Sequence, residues 1–373
     1  MQLSVIILNY NVRYFLEQCV LSVQNALENI DGEIIVVDNN SSDDSCTMMK
    51  SLFPTVKLIE NKENFGFPKG NNIGVAQAKG EYICILNPDT VVAEDTFQKL
   101  ISKSYELTAG IIGSKLIDGT GNFLPESKRG VPTPWVAFTK ISGLYKISTI
   151  FGKYYAQHLS ENQSGKVDIL VGAFMFMKRN LYNDIGGFDE KCFMYSDDID
   201  LSYMALQKGK HNYYFHETSV IHYKGESTFR DEKYMKRFQE AMQFFYKKHF
   251  KKSILFNFFM EIGAFLFSFF KRNQTRINSR KIDKFIIFSK NNLNLNLCKD
   301  EKVMHNLSDF SNELNLNIEI IFDTKSFTYK EIIDFMISNK SNNITFKNYI
   351  PSSNFIIGSN NSIDRGEIID LNI

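Results

Sequence analysis

Residues 1 to about 250 predict an α/β fold: a mostly parallel sheet flanked by helices. Three observations carry this. Short apolar runs at 3–8, 33–37 and 82–86 are bounded by Gly, Pro or polar residues and read as strands covered on both faces. An amphipathic stretch follows the first, with Phe15, Leu16, Cys19, Val20 and Val23 on one face. Each strand runs into a polar loop, and in an open α/β sheet those loops gather at the carboxyl edge, where ligands bind.

The first strand stops at Asn9-Tyr10-Asn11, and the second ends in Asp38-Asn39-Asn40-Ser41-Ser42-Asp43. A right-handed β-α-β crossover brings both loops to the same edge. Asp38 can there accept hydrogen bonds from a base or a ribose, while capping of the next helix by Asp38 and Ser41 is the plainer alternative. The stretch from Asn64 to Gly74 (NFGFPKGNNIG) reads as a loop opening a helix through Ala76 and Ala78, and glycines at a helix start suit a phosphate. It is not a P-loop, because the G-x-x-x-x-G-K-[ST] order is absent. Candidate nucleotide-binding residues are therefore Asn9, Tyr10, Asp38, Asn40, Asn64, Gly70 and Asn71.

The strand at 82–86 meets Asn87-Pro88-Asp89. Pro88 cannot continue a ladder, so Asp89 is left at the carboxyl end of a central strand, suited to a divalent metal holding a diphosphate. The competing reading makes Asp89 the cap of a helix starting near 92–94. A helix and a strand are expected over 97–117, followed by an aperiodic, aromatic-rich segment, 118–166. In it Arg129 and Trp135 could hold a sugar or a phosphate of an acceptor, or the loop could pack on its own aromatics. A strand at 167–171 is expected to lead into Gly172-Ala173, where bare backbone can approach a donor sugar. Asn87, Gly172 and Ala173 are the candidates for that contact.

Three carboxylates in four residues, Asp197, Asp198 and Asp200, repel one another, which argues against a purely structural purpose. Helical spacing from about Asp198 turns Leu201 and Ala205 inward. His222 follows a short strand, and a helix over 231–249 with Tyr234, Phe238, Met242 and Phe245 inward closes the unit.

Lysines at 247, 248, 251 and 252 precede an apolar run at 253–270, and further basic residues follow it. The 251–281 segment is expected to lie as a helix in a membrane interface with its basic flanks on anionic lipid, or else to pack on protein, and Glu261 argues against its spanning a bilayer. Residues 282–373 predict a small α/β module, with strands at 286–288, 318–322, 344–350 and 354–358 and helices near 302–314 and 329–338. No chemistry is assigned to it.

Composition narrows the classes. The net charge of +1 excludes a global field that would recruit nucleic acid, and five scattered cysteines without C-x-x-C spacing exclude a disulfide framework or a zinc site. Residues 1–8 read as a strand rather than a signal peptide, so a cytoplasmic, reducing location is expected, peripheral to the inner face of the membrane.

The motifs VIILNYN, EIIVVDNNSSDDS, NFGFPKGNNIG and ICILNPDT, in this order, resemble the inverting family 2 glycosyltransferases of GT-A fold, in particular their bacterial rhamnosyltransferase-like branch. The resemblance covers residues 1 to about 250. It implies a nucleoside diphosphate sugar donor of UDP or dTDP type, a saccharide or lipid-linked saccharide acceptor in surface polysaccharide synthesis, and a divalent metal, Mn or Mg. It further implies that Asp38 contacts the nucleotide, Asp89 binds the metal, and Asp198 is the catalytic base. Asp197 stands where the family usually has Glu, and His222 matches a histidine near the metal, a ligand that suits Mn²⁺ better than Mg²⁺. A homodimer is an open expectation. Two rivals stand beside this reading. A sugar-nucleotide nucleotidyltransferase would need a glycine-rich basic loop where Asn9-Tyr10-Asn11-Val12-Arg13 stands, and a membrane-associated assembly subunit would keep the fold without turnover.

Overall fold

The computed structural model describes residues 1–106, 109–133, 135, 136, 139, 143–223, 232–250, 281–297, 300–360 and 366–372. The N-terminal half alternates β1 (Leu3–Asn9), α1 (Arg13–Ala26), β2 (Gly32–Asp38), α2 (Ser45–Leu52), β3 (Lys57–Glu60), α3 (Gly66–Ala76) and β4 (Tyr82–Leu86). Then come β5 (Thr90–Val92), α4 (Thr96–Glu106), β6 (Ala109–Ile117), β7 (Gly165–Val167), β8 (Phe174–Lys178), α5 (Arg179–Asp184), α6 (Asp197–Gln207), β9 (His211–His222) and α7 (Glu232–His249). The large sheet runs β3-β2-β1-β4-β8-β6-β9-β5, with β7 also on β9. Its first four strands are parallel; β8 is antiparallel to both β4 and β6, and β5 is antiparallel to β9.

Period-2 alternation divides the core between the two faces of this sheet. Leu3, Val5 and Ile7 pack with Leu16, Cys19, Val20 and Val23 of α1. Ile6 and Leu8 face the opposite way, toward Val75, Leu201 and Ala205. All seven residues of β1 are buried, which is why its sequence is apolar without alternation.

Four expectations change. NFGFPKGNNIG is not a loop: α3 already begins at Gly66, and a Cβ at Gly70 would stand 2.4 Å from Leu8 Cδ1, so this glycine serves close packing of helix on sheet. Asp89 caps no helix, because Thr90–Val92 is a strand paired to β9. Of the strand expected at 167–171 only Val167 lies in one, β7, while Ile169 makes a lone bridge to Arg129 and the next strand begins at Phe174, where Phe174–Lys178 finds a full ladder on β4. The helix expected near 302–314 is replaced by β11 (Glu301–Met304) and a single 3-10 turn at Leu307–Asp309, where the Asp309 carboxylate accepts from Asn306 Nδ2 and Ser308 Oγ. In α7, Met242 and Phe245 are buried as expected, while the side chains of Tyr234 and Phe238 lie outside what is described. The 251–281 expectation falls almost wholly outside the described residues, and among those residues no helix is long and apolar enough to cross a membrane.

The C-terminal module contains β10 (Lys284–Phe288), β11, β12 (Ile318–Asp323), α8 (Tyr329–Asn339), β13 (Ile344–Ile350), β14 (Phe355–Ser359) and β15 (Glu367–Asp370). Its sheet runs β11-β10-β12-β13-β14-β15, parallel through β13 and antiparallel beyond. Thr328 and Glu331 form a reciprocal capping box at the start of α8. The module shares a core with the first unit: Phe15, Val91, Ile221 and Tyr223 pack in one cluster with Phe288, Phe322, Tyr329 and Phe346.

Candidate active site

The site lies along the carboxyl edge of the large sheet, and its parts can be followed in one run of close contacts. At one end is Asp198, in the first turn of α6. Its Oδ2 accepts from Arg129 Nη2 at 2.5 Å and from the Gly172 N–H at 3.0 Å, and its Oδ1 accepts from the Ile199 N–H at 2.7 Å. One residue beyond Gly172, the Ala173 carbonyl accepts from the Asn87 N–H at 3.0 Å. Asn87 Nδ2 lies 3.5 Å from His222 Nε2, and that nitrogen is 3.4 Å from Asp89 Oδ1. Pairing of Thr90 with His222 across β5 and β9 fixes the last two side chains together.

Burial sets the electrostatics of the carboxylate end. Asp197 is pushed up to about 7, first by loss of water around it and then by the negative charge of Asp198. Its Oδ1 is buried without a hydrogen-bond partner. Burial alone would lower the pKa of Arg129, but the Asp198 carboxylate more than offsets that and raises it. The guanidinium therefore stays charged, and a second bond from its Nη2 to the Leu170 carbonyl at 2.8 Å fixes its position. A carboxylate has about four acceptor positions, and Asp198 uses three.

Asp89 and His222 are 5% and 7% exposed, and His222 Nδ1 is buried without a partner. Cis ligands of an ion at about 2.1 Å stand about 3 Å apart, so a 3.4 Å carboxylate–imidazole pair fits two positions on one divalent cation. Among the described residues no group of three or more His, Cys, Asp or Glu could hold a metal.

At the end formed by the β1 and β2 loops, Asp38 is buried and holds the two loops together. It accepts from Ser41 N–H at 2.8 Å, Ser41 Oγ at 2.6 Å and Asn9 Nδ2 at 2.7 Å. Asn39 continues the network, donating to the Gly66 carbonyl at 3.1 Å and to Asn64 Oδ1 at 3.3 Å. Asn71 is buried, bonded to the Phe67 carbonyl at 2.9 Å, with its Oδ1 unpartnered. Tyr10 and Asn40 are exposed at the rim, Asn40 with a φ of +63°. Trp135 is 58% exposed, its ring edge-on to Phe151, and does not share the burial of Arg129. A methyl at Gly172 would stand 3.3 Å from Asp198 Cβ and 3.7 Å from Asp197 Oδ2, so this glycine keeps the space beside both carboxylates open.

Sequence reasoning missed the ion pair between Arg129 and Asp198, which are 69 positions apart. A basic residue facing an acidic triplet was the available signal. It also missed Tyr223, buried behind His222, whose N–H donates to the Asp89 carbonyl at 3.0 Å.

Residues 4–186 match the family described as Glycosyl transferase family 2. An N-acetylglucosaminyl-diphospho-decaprenol L-rhamnosyltransferase of Mycobacterium tuberculosis is 25% identical over 241 residues, covering 61% of this chain and 78% of the relative. A GalNAc(5)-diNAcBac-PP-undecaprenol beta-1,3-glucosyltransferase of Campylobacter jejuni is 32% identical over 167 residues, 43% of this chain and 54% of the relative. A solved mannosyltransferase of Pyrobaculum calidifontis superposes with a TM-score of 0.47 and 18% identity over 71% of this chain and 69% of that one.

Proposed function

Residues 4–186 make this chain a family 2 glycosyltransferase, and from that premise we propose that it transfers a hexosyl or deoxyhexosyl group from a nucleoside diphosphate sugar to a lipid-linked saccharide in cell-surface glycan assembly. The names of the two relatives, each of which specifies a saccharide joined through diphosphate to a polyprenol, support the acceptor class. A UDP or dTDP donor, an inverting course and a cytoplasmic location beside the membrane belong to the same proposal.

The observation that carries it is the continuous run from Asp198 through Gly172, Ala173, Asn87 and His222 to Asp89. In it Asp198 takes the proton of the acceptor hydroxyl at its free acceptor position, and Arg129 holds the carboxylate in place. Gly172 and Ala173 bring bare backbone to the donor sugar, Asn87 stands beside them, and Asp38 with Asn9 orders the nucleotide end. Asp89 and His222 would hold a divalent metal, Mn²⁺ or Mg²⁺, which when bound supplies charge neutralisation for the departing diphosphate.

The test is a pair of variants assayed for sugar transfer and for nucleotide binding. Asp198→Asn should lose about 10²- to 10⁴-fold in transfer while still binding nucleotide. Asp89→Ala should lose transfer together with the metal dependence of nucleotide binding. Full transfer by Asp198→Asn would rule out the assignment of the base, and a wild-type protein without turnover on any diphosphate sugar would favour a non-catalytic assembly subunit.

A further inference from the structure

We propose that the C-terminal module is the bed on which the Asp89–His222 pair is set, with Tyr223 as the positioning residue that joins the two. The inference rests on the metal-holding reading of that pair. It comes from where the module touches the catalytic unit: the contacts fall on the segments directly after the candidate ligand-binding loops.

Behind Asp89, β5 leads to Glu94, whose two carboxylate oxygens accept the Tyr329 and Lys330 N–H groups of the first turn of α8, each at 2.8 Å. The start of a helix is thereby held by a carboxylate of the other unit, and Lys330 adds an ion pair to Asp95. Behind His222, Tyr223 is 2% exposed, with its ring edge-on to Phe15 and its hydroxyl accepting from Asn348 Nδ2 of β13 at 3.3 Å. Its backbone N–H is the one bonded to the Asp89 carbonyl. Behind the β1 loop, Tyr14 bonds to Asp370 at 3.1 Å, and the Ser353 hydroxyl donates to the buried Glu17 carboxylate, which also pairs with Arg13 at 3.1 Å. Three segments carrying candidate ligand-binding loops thus rest on the C-terminal module, while the Asp197–Asp198 end is supported by Arg129 instead.

Two ligand side chains on neighbouring strands gain little rigidity from each other, so their spacing depends on what lies behind them. Among the described residues Tyr223 bonds to both Asp89 and the module, and it is adjacent in sequence to His222.

The experiment titrates Mn²⁺, alone and with UDP or dTDP, into the full-length protein by electron paramagnetic resonance, alongside thermal unfolding without metal. Tyr223→Phe, Asn348→Ala and Glu94→Gln are compared with wild type. Ile356→Ala, in the module's opposite core with Ile287, Ile321 and Tyr349, provides a destabilised control. Expected is a weakening of Mn²⁺ binding, by about tenfold in the strongest variant, that exceeds anything seen in the control at equal loss of melting temperature. Mn²⁺ affinities that stay at the wild-type value in all three interface variants, with Asp89→Ala still abolishing binding, overturn this inference and leave the metal reading intact. Identical Mn²⁺ behaviour of wild type and Asp89→Ala overturns both.

Discussion

The two sheets of this chain begin alike and end differently at their carboxyl edges. Each opens with four parallel strands, β3-β2-β1-β4 in one and β11-β10-β12-β13 in the other. At the first edge, buried polar atoms are left without partners: Asn9 Oδ1, Asn71 Oδ1, Asp197 Oδ1, Arg129 Nε and His222 Nδ1. At the second edge the polar residues around Asp323 are closed on one another, although Asn348 Oδ1 of β13 is also without a partner. Ser289 and Ser326 donate to Asp323 Oδ2 at 2.8 and 2.6 Å, and the Lys325 N–H donates to its Oδ1 at 3.1 Å. An unmade buried hydrogen bond costs free energy, so an edge keeps such atoms only where something else meets them. The difference fits the proposed ligand-binding role of the first edge and a structural role for the second, although both sheets open with four parallel strands.

The largest effect that would break this contrast is expected at Arg129. Arg129→Met leaves the buried Asp198 carboxylate without its ion pair, and should lower stability by about 3–5 kcal/mol and transfer by at least about 100-fold. Arg129→Lys should recover part of both, because a single ammonium keeps the charge without the second bond to Leu170. Chemical denaturation and initial rates measure the two losses; normal transfer by Arg129→Met would show that Asp198 needs no partner.

Next comes the closed edge. Asp323→Ala strands several donors and should reduce stability by about 1–3 kcal/mol, with kcat and KM per folded molecule unchanged. A changed kcat would mean that the second edge takes part in the reaction.

A smaller effect depends on pH. The Asp197 carboxyl, raised from its ordinary 3.8 to about 7 by burial and by Asp198, binds its proton more tightly in the folded protein than in the unfolded chain. Its contribution to stability is therefore complete below about pH 4, shrinks as pH rises, and is gone above about pH 7. Asp197→Asn does not titrate, so its melting temperature should gain on wild type by a few degrees at pH 8 relative to pH 4. The variant should also lose any rising limb near pH 7 in the pH–rate profile of transfer. A melting-temperature difference that stays constant across pH would remove Asp197 as the titrating member of the pair. The smallest effect is expected from Gly172→Ala, whose methyl would crowd Asp198 Cβ at 3.3 Å: a loss of about 1 kcal/mol in stability with a raised donor KM. An unchanged KM would place the donor sugar elsewhere.

How legible each part was depended on how local its cause is. The strands at 3–8 and 82–86, the helix face of Phe15, Leu16, Cys19, Val20 and Val23, and the inward Leu201 and Ala205 follow from periodicity within a dozen residues, and all are buried as that periodicity demands. The 302–314 segment misled because β11 gains its ladder from β10, a partner that local pattern does not contain. Gly70 misled for a related reason: a glycine in a polar stretch resembles a phosphate loop until Leu8 is seen against it. The acidic pair was visible as three carboxylates in four residues, but its counter-charge lay 69 positions away.

By itself, the sequence determined the alternation of strands and helices, the family of residues 4–186, and which polar residues end the central strands. Those follow from side-chain periodicity and from a chain order that short stretches record directly. Tertiary structure alone decided that Arg129 meets Asp198, that Asp38 ties β1 to β2, and that the C-terminal sheet lies behind Asp89 and His222. The physical reason is that buried charge and shared cores are satisfied across space, by whichever residues the packed sheets bring within a few ångströms of one another.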